Sequence, residues 1–355
     1  MAWLRLKREA SSGSRWHQAS RSTEGVLRLT STAQSSAEKF CLDPADIRQA
    51  AERIRPHVLM TPVVDAWHLH QALGCRLSLK CENLQYGFAF KARGACNAVF
   101  SLSDDDAAKG VVTHSSGNHA AALTRAAVLR GIKAHIVMPH NSARVKLEAV
   151  RSLGVEPILC EPDSASREAT ASAVQQQSGA TMIHPFNDAR VIAGQGTAAL
   201  EILRQVPDVD TIVVPVGGGG LLAGTLMTVK SIRPDVRVFA AEPAWADDAF
   251  RSLRAGSIQP ALRTDSIADG LRTPLGTLTF PIIQHFVDDV LCVDEDTIIR
   301  ATALLAQRCR LVAEPSGAVS LGAILQHRHL FSSSKTVALI SGGNLDDLRL
   351  LGKMV

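Results

Sequence analysis

From about Pro44 the chain repeats one pattern: a short aliphatic run, a break at Gly, Ser or Pro, then a longer stretch rich in Ala and Leu. The runs at 110–114, 134–138, 211–216, 236–241 and 336–340 are nearly continuous in apolar residues rather than alternating. Such runs predict strands buried on both faces. The stretches at 120–129 and 221–231 predict helices following them. Together they predict an α/β fold of open, mostly parallel sheets with helices on both faces. No repeat of solenoid period is present.

The first 40 residues break the pattern. They are rich in Ser and Arg, hold few acids (Glu9, Glu24 and Glu38) and show weak periodicity. They predict an extension outside the packed fold, a disordered tail or a mitochondrial or plastid presequence. Length changes the picture in one respect: 355 residues exceed what one compact core usually holds, so two domains are expected.

Composition mainly excludes. The net charge is only +4, and there is one Tyr. A basic stripe with interleaved aromatics is absent, so nucleic acid is not an expected partner. The seven cysteines are scattered, odd in number and without a C-x-x-C pair. That predicts reduced thiols in a cytoplasmic setting rather than a disulfide frame or a zinc site. No apolar run is long enough to span a membrane.

The strongest chemical signal follows the run at 211–216. Gly217, Gly218, Gly219 and Gly220 stand in a row before an apolar helix. Four residues without Cβ let the backbone curl so that its N–H groups converge on one anion at a helix N-terminus. This is a phosphate cup, and it admits two ligands. Gly218, Gly220 and Ala223 also satisfy G-x-G-x-x-A, with Glu242 about 20 positions on, as in a dinucleotide site of an NAD-dependent oxidoreductase.

Three further segments place small polar residues at strand ends: His114-Ser-Ser-Gly-Asn-His119, Ser341-Gly-Gly-Asn344 and Phe90-Lys-Ala-Arg-Gly94. Ligands of open α/β sheets sit beyond the carboxyl ends of strands. Lys91 lies among Phe88, Ala89, Phe90 and Ala92, where desolvation would lower its pKa and free it for Schiff-base chemistry. Lys80, in the run at 77–81, is the second candidate; its setting predicts a snorkelling side chain with a solvated head.

This set, in this order and spacing, resembles the fold-type II pyridoxal phosphate (PLP) enzymes of the serine racemase and serine/threonine dehydratase family, from about residue 42 to the C-terminus. The resemblance implies a tryptophan synthase β-like fold, with a large PLP-binding domain (41–100 and 188–355) and a small one (101–187). It implies that Lys91 joins the cofactor aldehyde and acts as base on one face. Gly217, Gly218, Gly219 and Gly220 would hold the phosphate, Asn118 the ring hydroxyl, and Phe90 the side of the ring. Ser341 would meet the pyridine nitrogen, with Glu314 nearby. A neutral hydroxyl there leaves the ring unprotonated and favours elimination or reprotonation over transamination. Ser115, Ser116, Asn118 and His119 would line a carboxylate pocket, with Arg167 and Thr273 further candidates on the substrate side.

Racemisation needs a proton carrier on each face of a planar carbanion, and Ser116 is placed opposite Lys91 by the same resemblance. Dehydration needs Lys91 and an acid for the departing β-hydroxyl. The expected function is therefore serine racemase with serine/threonine dehydratase activity. The alternatives are a dedicated threonine or 3-hydroxyaspartate ammonia-lyase and, more distantly, the oxidoreductase. Glu242, the Ala246 carbonyl and Asp248 resemble the family's divalent-cation loop, and hard oxygen ligands suit Mg²⁺, Ca²⁺ or Mn²⁺. The resemblance also implies a homodimer. One stretch departs from the family: Gly87-Phe88-Ala89 replaces the usual T-G-S. Together with Ala121, this predicts weak or absent activation by ATP.

Overall fold

The computed structural model describes residues 40–352, apart from Ser116 and Ala143. The N-terminal extension therefore lies outside the described residues, up to Phe40. That ring already packs on the rings of His285 and Phe286, with centroids 5.6 and 5.4 Å away.

Ten strands are found among the described residues: β1 (Val63–Asp65), β2 (Arg76–Cys81), β3 (Val111–His114), β4 (Ala134–Pro139), β5 (Ile158–Cys160), β6 (Thr181–Met182), β7 (Thr211–Pro215), β8 (Arg237–Pro243), β9 (Asp289–Val293) and β10 (Lys335–Ile340). They form two sheets. One has the order β1-β2-β10-β7-β8-β9 and the other β5-β4-β3-β6. Only the β1–β2 pair is antiparallel. The four-stranded sheet lies within 111–182, and the six-stranded sheet draws on 63–81 and 211–340. This is the expected α/β architecture of open, mostly parallel sheets.

The continuous apolar runs are explained by burial on both sides. In β7, Ile212 and Val214 face one core with Leu222 and Leu226, while Val213 faces the other with Ala318 and Leu321. In β10, Val337 and Leu339 alternate with Ala338 and Ile340 in the same way. Each such side chain contributes roughly 1.5–3 kcal/mol by leaving water. The register is thereby fixed, because a one-residue slip would exchange the two faces.

The helices Lys91–Phe100, Ala189–Gln205 and Gly220–Ile232 pack in series behind the site. Glycines permit the closest approach: a Cβ on Gly196 would stand 2.7 Å from the Gly224 carbonyl oxygen. The end of β10 meets the start of the helix that begins with Lys91, where the Phe90 amide donates to the Ser341 carbonyl.

Candidate active site

Lys91 opens its helix, and its Nζ donates to the Pro185 carbonyl at 2.9 Å while lying 5.0 Å from the Phe90 ring centroid. Burial lowers its pKa to about 8, with Glu314 pulling the other way. The backbone beside it is stitched to the end of β10. The Phe90 amide donates to the Ser341 carbonyl at 3.0 Å, and the Gly343 amide to the Phe88 carbonyl at 2.8 Å. Ser341 itself is 3% exposed.

Asn118 begins the helix Asn118–Arg130, which no side chain caps. Its Nδ2 donates to Glu314 Oε1 at 2.8 Å, and its Oδ1 accepts from Asn344 Nδ2 at 2.9 Å. One N–H of the amide is left for another acceptor. Glu314 is buried; that burial, reinforced by Asp269, raises its pKa to about 8. Short contacts thus join Asn118, Glu314 and the 341–344 loop, and the same loop bonds the backbone of Phe88 and Phe90 just ahead of Lys91.

The glycine loop lies beside them. Gly219 caps the helix Gly220–Ile232 at φ +88, a conformation L side chains rarely adopt, and the helix has no side-chain cap. Its first-turn N–H groups are therefore left for an anion. Phe186 fills the space a Cβ on Gly218 would need, and Leu271 closes over Gly217. A desolvated amine and an uncapped glycine-rich N-terminus fit an aldehyde cofactor bearing a phosphate.

The remaining predicted residues are less uniformly gathered. Ser115 binds the Val137 carbonyl through its amide and accepts from the Gly117 amide at 3.4 Å. His119 is fully buried, with Nε2 3.4 Å from the Ile183 carbonyl, and lies within electrostatic reach of Lys91, His184 and His114. Arg167, partly buried in the helix Ser164–Ser178, lies within electrostatic reach of His114. Thr273 is exposed on the loop beyond Leu271. Ser116 lies outside the described residues.

Glu242 and Asp248 are both fully buried, and Ala246 lies between them in a short 3-10 turn. Glu242 accepts the Ala249 and Phe250 amides at 2.8 and 2.9 Å. Burial, followed by the Asp248 charge, still pushes its pKa well up. Burial also raises Asp248 to about 7, against a partial pull from its own amide and that of Leu275, yet neither carboxylate oxygen forms a full hydrogen bond. Two buried carboxylates, one with both oxygens orphaned, fit a hard cation. No group of three or more His, Cys, Asp or Glu poised for a metal occurs among the described residues. The dinucleotide pattern asks Glu242 to meet a ribose hydroxyl, whereas its carboxylate is fully buried beside Asp248.

Lys80 departs from the expectation of a snorkelling side chain. It is 0% exposed and donates to Glu201 at 2.5 Å, the Thr61 carbonyl at 2.8 Å and Gln205 at 2.9 Å. Arg93 forks between Glu82 (2.7 and 2.8 Å) and Glu201 (2.7 and 2.8 Å). The seven cysteines are all unpaired. No described helix is long and apolar enough to cross a membrane.

With this geometry in place, the comparisons with known proteins become specific. Residues 54–342 match the model of the pyridoxal-phosphate dependent enzyme family, and the chain belongs to that family. It is 46% identical to a serine racemase of Arabidopsis thaliana, covering 88% of this chain and 96% of that protein. It is 45% identical to a beta-hydroxyaspartate dehydratase of Paracoccus denitrificans, covering 85% and 96% respectively. The fold superposes on the structure of maize serine racemase with a TM-score of 0.85 and 45% identity, over 88% of this chain and 96% of that one.

Proposed function

We propose that the chain is a PLP-dependent serine racemase that also dehydrates serine and threonine to 2-oxo acids and ammonia. The observation that carries this is a desolvated lysine, Lys91, in one web of contacts with two helices whose first turns carry no side-chain cap. The identity with serine racemases over most of the chain supports it.

In this reading Gly217, Gly218, Gly219 and Gly220 hold the cofactor phosphate, Phe90 flanks the ring, Asn118 meets its hydroxyl, and Ser341 its nitrogen. Bound pyridoxal phosphate supplies the electron sink for the pair left on the α-carbon. Lys91 takes and returns the α-proton on one face. Ser116 does so on the other, which gives D-serine. Loss of the β-hydroxyl instead gives pyruvate and ammonia. Ser115, Asn118 and the backbone at His119 orient the substrate carboxylate, with Arg167 and Thr273 on the substrate side. Residues 101–187 form the smaller domain beside 41–100 and 188–355. Glu242, the Ala246 carbonyl and Asp248 hold Mg²⁺, Ca²⁺ or Mn²⁺. The assembly is a homodimer, and ATP activates it weakly or not at all.

The 45% identity with a beta-hydroxyaspartate dehydratase favours a second reading, in which elimination from 3-hydroxyaspartate dominates and racemisation is minor. One experiment separates them. L-Serine and 3-hydroxyaspartate are incubated with wild type and with Ser116→Ala, and chiral products and 2-oxo acids are quantified. Loss of D-serine with pyruvate retained is the expected outcome. Equal loss of both reduces Ser116 to a binding group, and no D-serine from wild type leaves the dehydratase reading.

A further inference from the structure

Lys91, the glycine loop and the loop at 276–279 come from distant parts of the chain. One short segment, His184, Pro185, Phe186 and Asn187, touches all three. The Pro185 carbonyl accepts from Lys91 Nζ at 2.9 Å. Phe186 occupies the space beside Gly218 and Gly220. Asn187 accepts the Leu278 amide at 2.8 Å and donates to Thr277 at 3.1 Å, while Thr279 donates to the Gly218 carbonyl at 2.8 Å.

The segment is itself a turn, and His184 holds it. His184 Nδ1 accepts the amides of Phe186 at 3.3 Å and Asn187 at 2.9 Å. The Phe186 ring meets the imidazole edge-on, with centroids 4.5 Å apart and planes at 88°. Both partners of Nδ1 are backbone donors, so that nitrogen is unprotonated and the ring proton resides on Nε2.

We propose that His184 is a positioning residue for the reaction: its neutral imidazole, through Nδ1, fixes the turn that sets the Lys91 amine against the glycine cup. The inference rests on the reading of Lys91 and 217–220 as the cofactor's holders. It assigns a positioning role to a residue whose side chain bonds the turn's backbone rather than the Lys91 amine.

The surroundings keep the ring neutral. Burial lowers the pKa to about 4, helped by His114 on β3 and Lys91 on its helix and opposed by Asp188. His119, on the helix Asn118–Arg130, is the further titratable neighbour. Because the folded pKa lies below the ordinary 6.5, the stabilisation is complete above 6.5 and is lost as pH falls through about 4.

The test compares His184→Phe, which keeps the shape without the acceptor, with His184→Asn, whose Oδ1 replaces Nδ1. The readouts are the rate at which the holoenzyme releases pyridoxal phosphate into a trapping buffer between pH 4 and 8, and the split between kcat and KM. His184→Phe should release the cofactor about tenfold faster, since two hydrogen bonds are lost, and should lower kcat more than it raises KM. His184→Asn should stay within about threefold of wild type at pH 7 and should lack the acid acceleration of release, because Asn does not titrate. Release from His184→Phe at the wild-type rate would overturn the proposal. So would His184→Asn failing like the Phe variant, or keeping the wild-type acid limb. A His184→Phe chain that does not fold leaves the Asn variant to decide. A wild-type protein that takes up no pyridoxal phosphate would instead overturn the underlying reading, and this inference with it.

Discussion

The charges buried behind the Lys91 helix and those buried at the end of β8 are alike in kind and opposite in condition. In the first group Lys80, Arg93, Glu82 and Glu201 answer one another with hydrogen bonds of 2.5 to 2.8 Å. Burial pushes Glu82 up, but Arg93 outweighs it and holds the carboxyl below its usual range. In the second group burial pushes both Glu242 and Asp248 up, the Asp248 charge adds to the rise of Glu242, and Arg251 opposes the rise of Asp248 only in part and without a hydrogen bond to it. A fold that encloses charge must neutralise it or take a neutralising ligand. The first group is completed by the chain itself and serves as scaffold for Lys91. In the proposed reading a cation from outside completes the second.

Breaking the first group should have the largest effect. Glu201→Ala leaves Lys80 and Arg93 without a shared partner, and the cost expected in urea unfolding is about 3–5 kcal/mol, unrelieved by Mg²⁺. A cost below about 1 kcal/mol would mean that the network is not what holds the Lys91 helix.

The second group should respond to cation instead of mutation alone. At a free cation concentration of about 100 Kd, binding stabilises the folded state by about 2.7 kcal/mol. Chelation should therefore lower the Tm of wild type, and Asp248→Asn should abolish that response. A wild-type Tm indifferent to chelator and to added Mg²⁺, Ca²⁺ or Mn²⁺ would make the pair a plain buried acid pair.

A smaller effect sharpens the contrast by moving from charge to backbone. Phe88 adopts φ 56 and lies exposed, next to Gly87 at φ 68. A bulky residue in the left-handed region costs about 1–2 kcal/mol. Phe88→Gly should recover about 1 kcal/mol, less the added flexibility of glycine in the unfolded chain. A drop in Tm would show that the Phe88 ring makes contacts worth more than its strain.

The parts of the molecule visible in the sequence were those written locally. Apolar runs at 211–216 and 336–340 became β7 and β10, because each residue's burial on either face needs only an aliphatic side chain. The glycine row and the S-S-G-N-H and S-G-G-N segments sit at strand ends, as short turns with small residues demand. What was not visible depends on partners far along the chain. Lys80 looked like a snorkelling lysine because Glu201 and Gln205 lie more than 120 residues away. His184 stands in motif context and reads as a structural hydrogen-bonder, but the two amides it accepts were not legible, because a backbone amide has no letter. The hint available was the string His-Pro-Phe-Asn itself, a turn composition directly before a helix capped by Asp188.

Two buried lysines stand at the centre of this picture. Lys80 is spoken for by three acceptors, whereas Lys91 meets a single main-chain carbonyl in its hydrogen bond with Pro185. The most direct measurement is borohydride reduction of the purified holoenzyme, followed by proteolysis and peptide mass spectrometry. The phosphopyridoxyl mass is predicted on the peptide containing Lys91, with none on Lys80, and it should vanish in Lys91→Ala. The same mass on Lys80, or turnover of L-serine with no such adduct on Lys91, would contradict it.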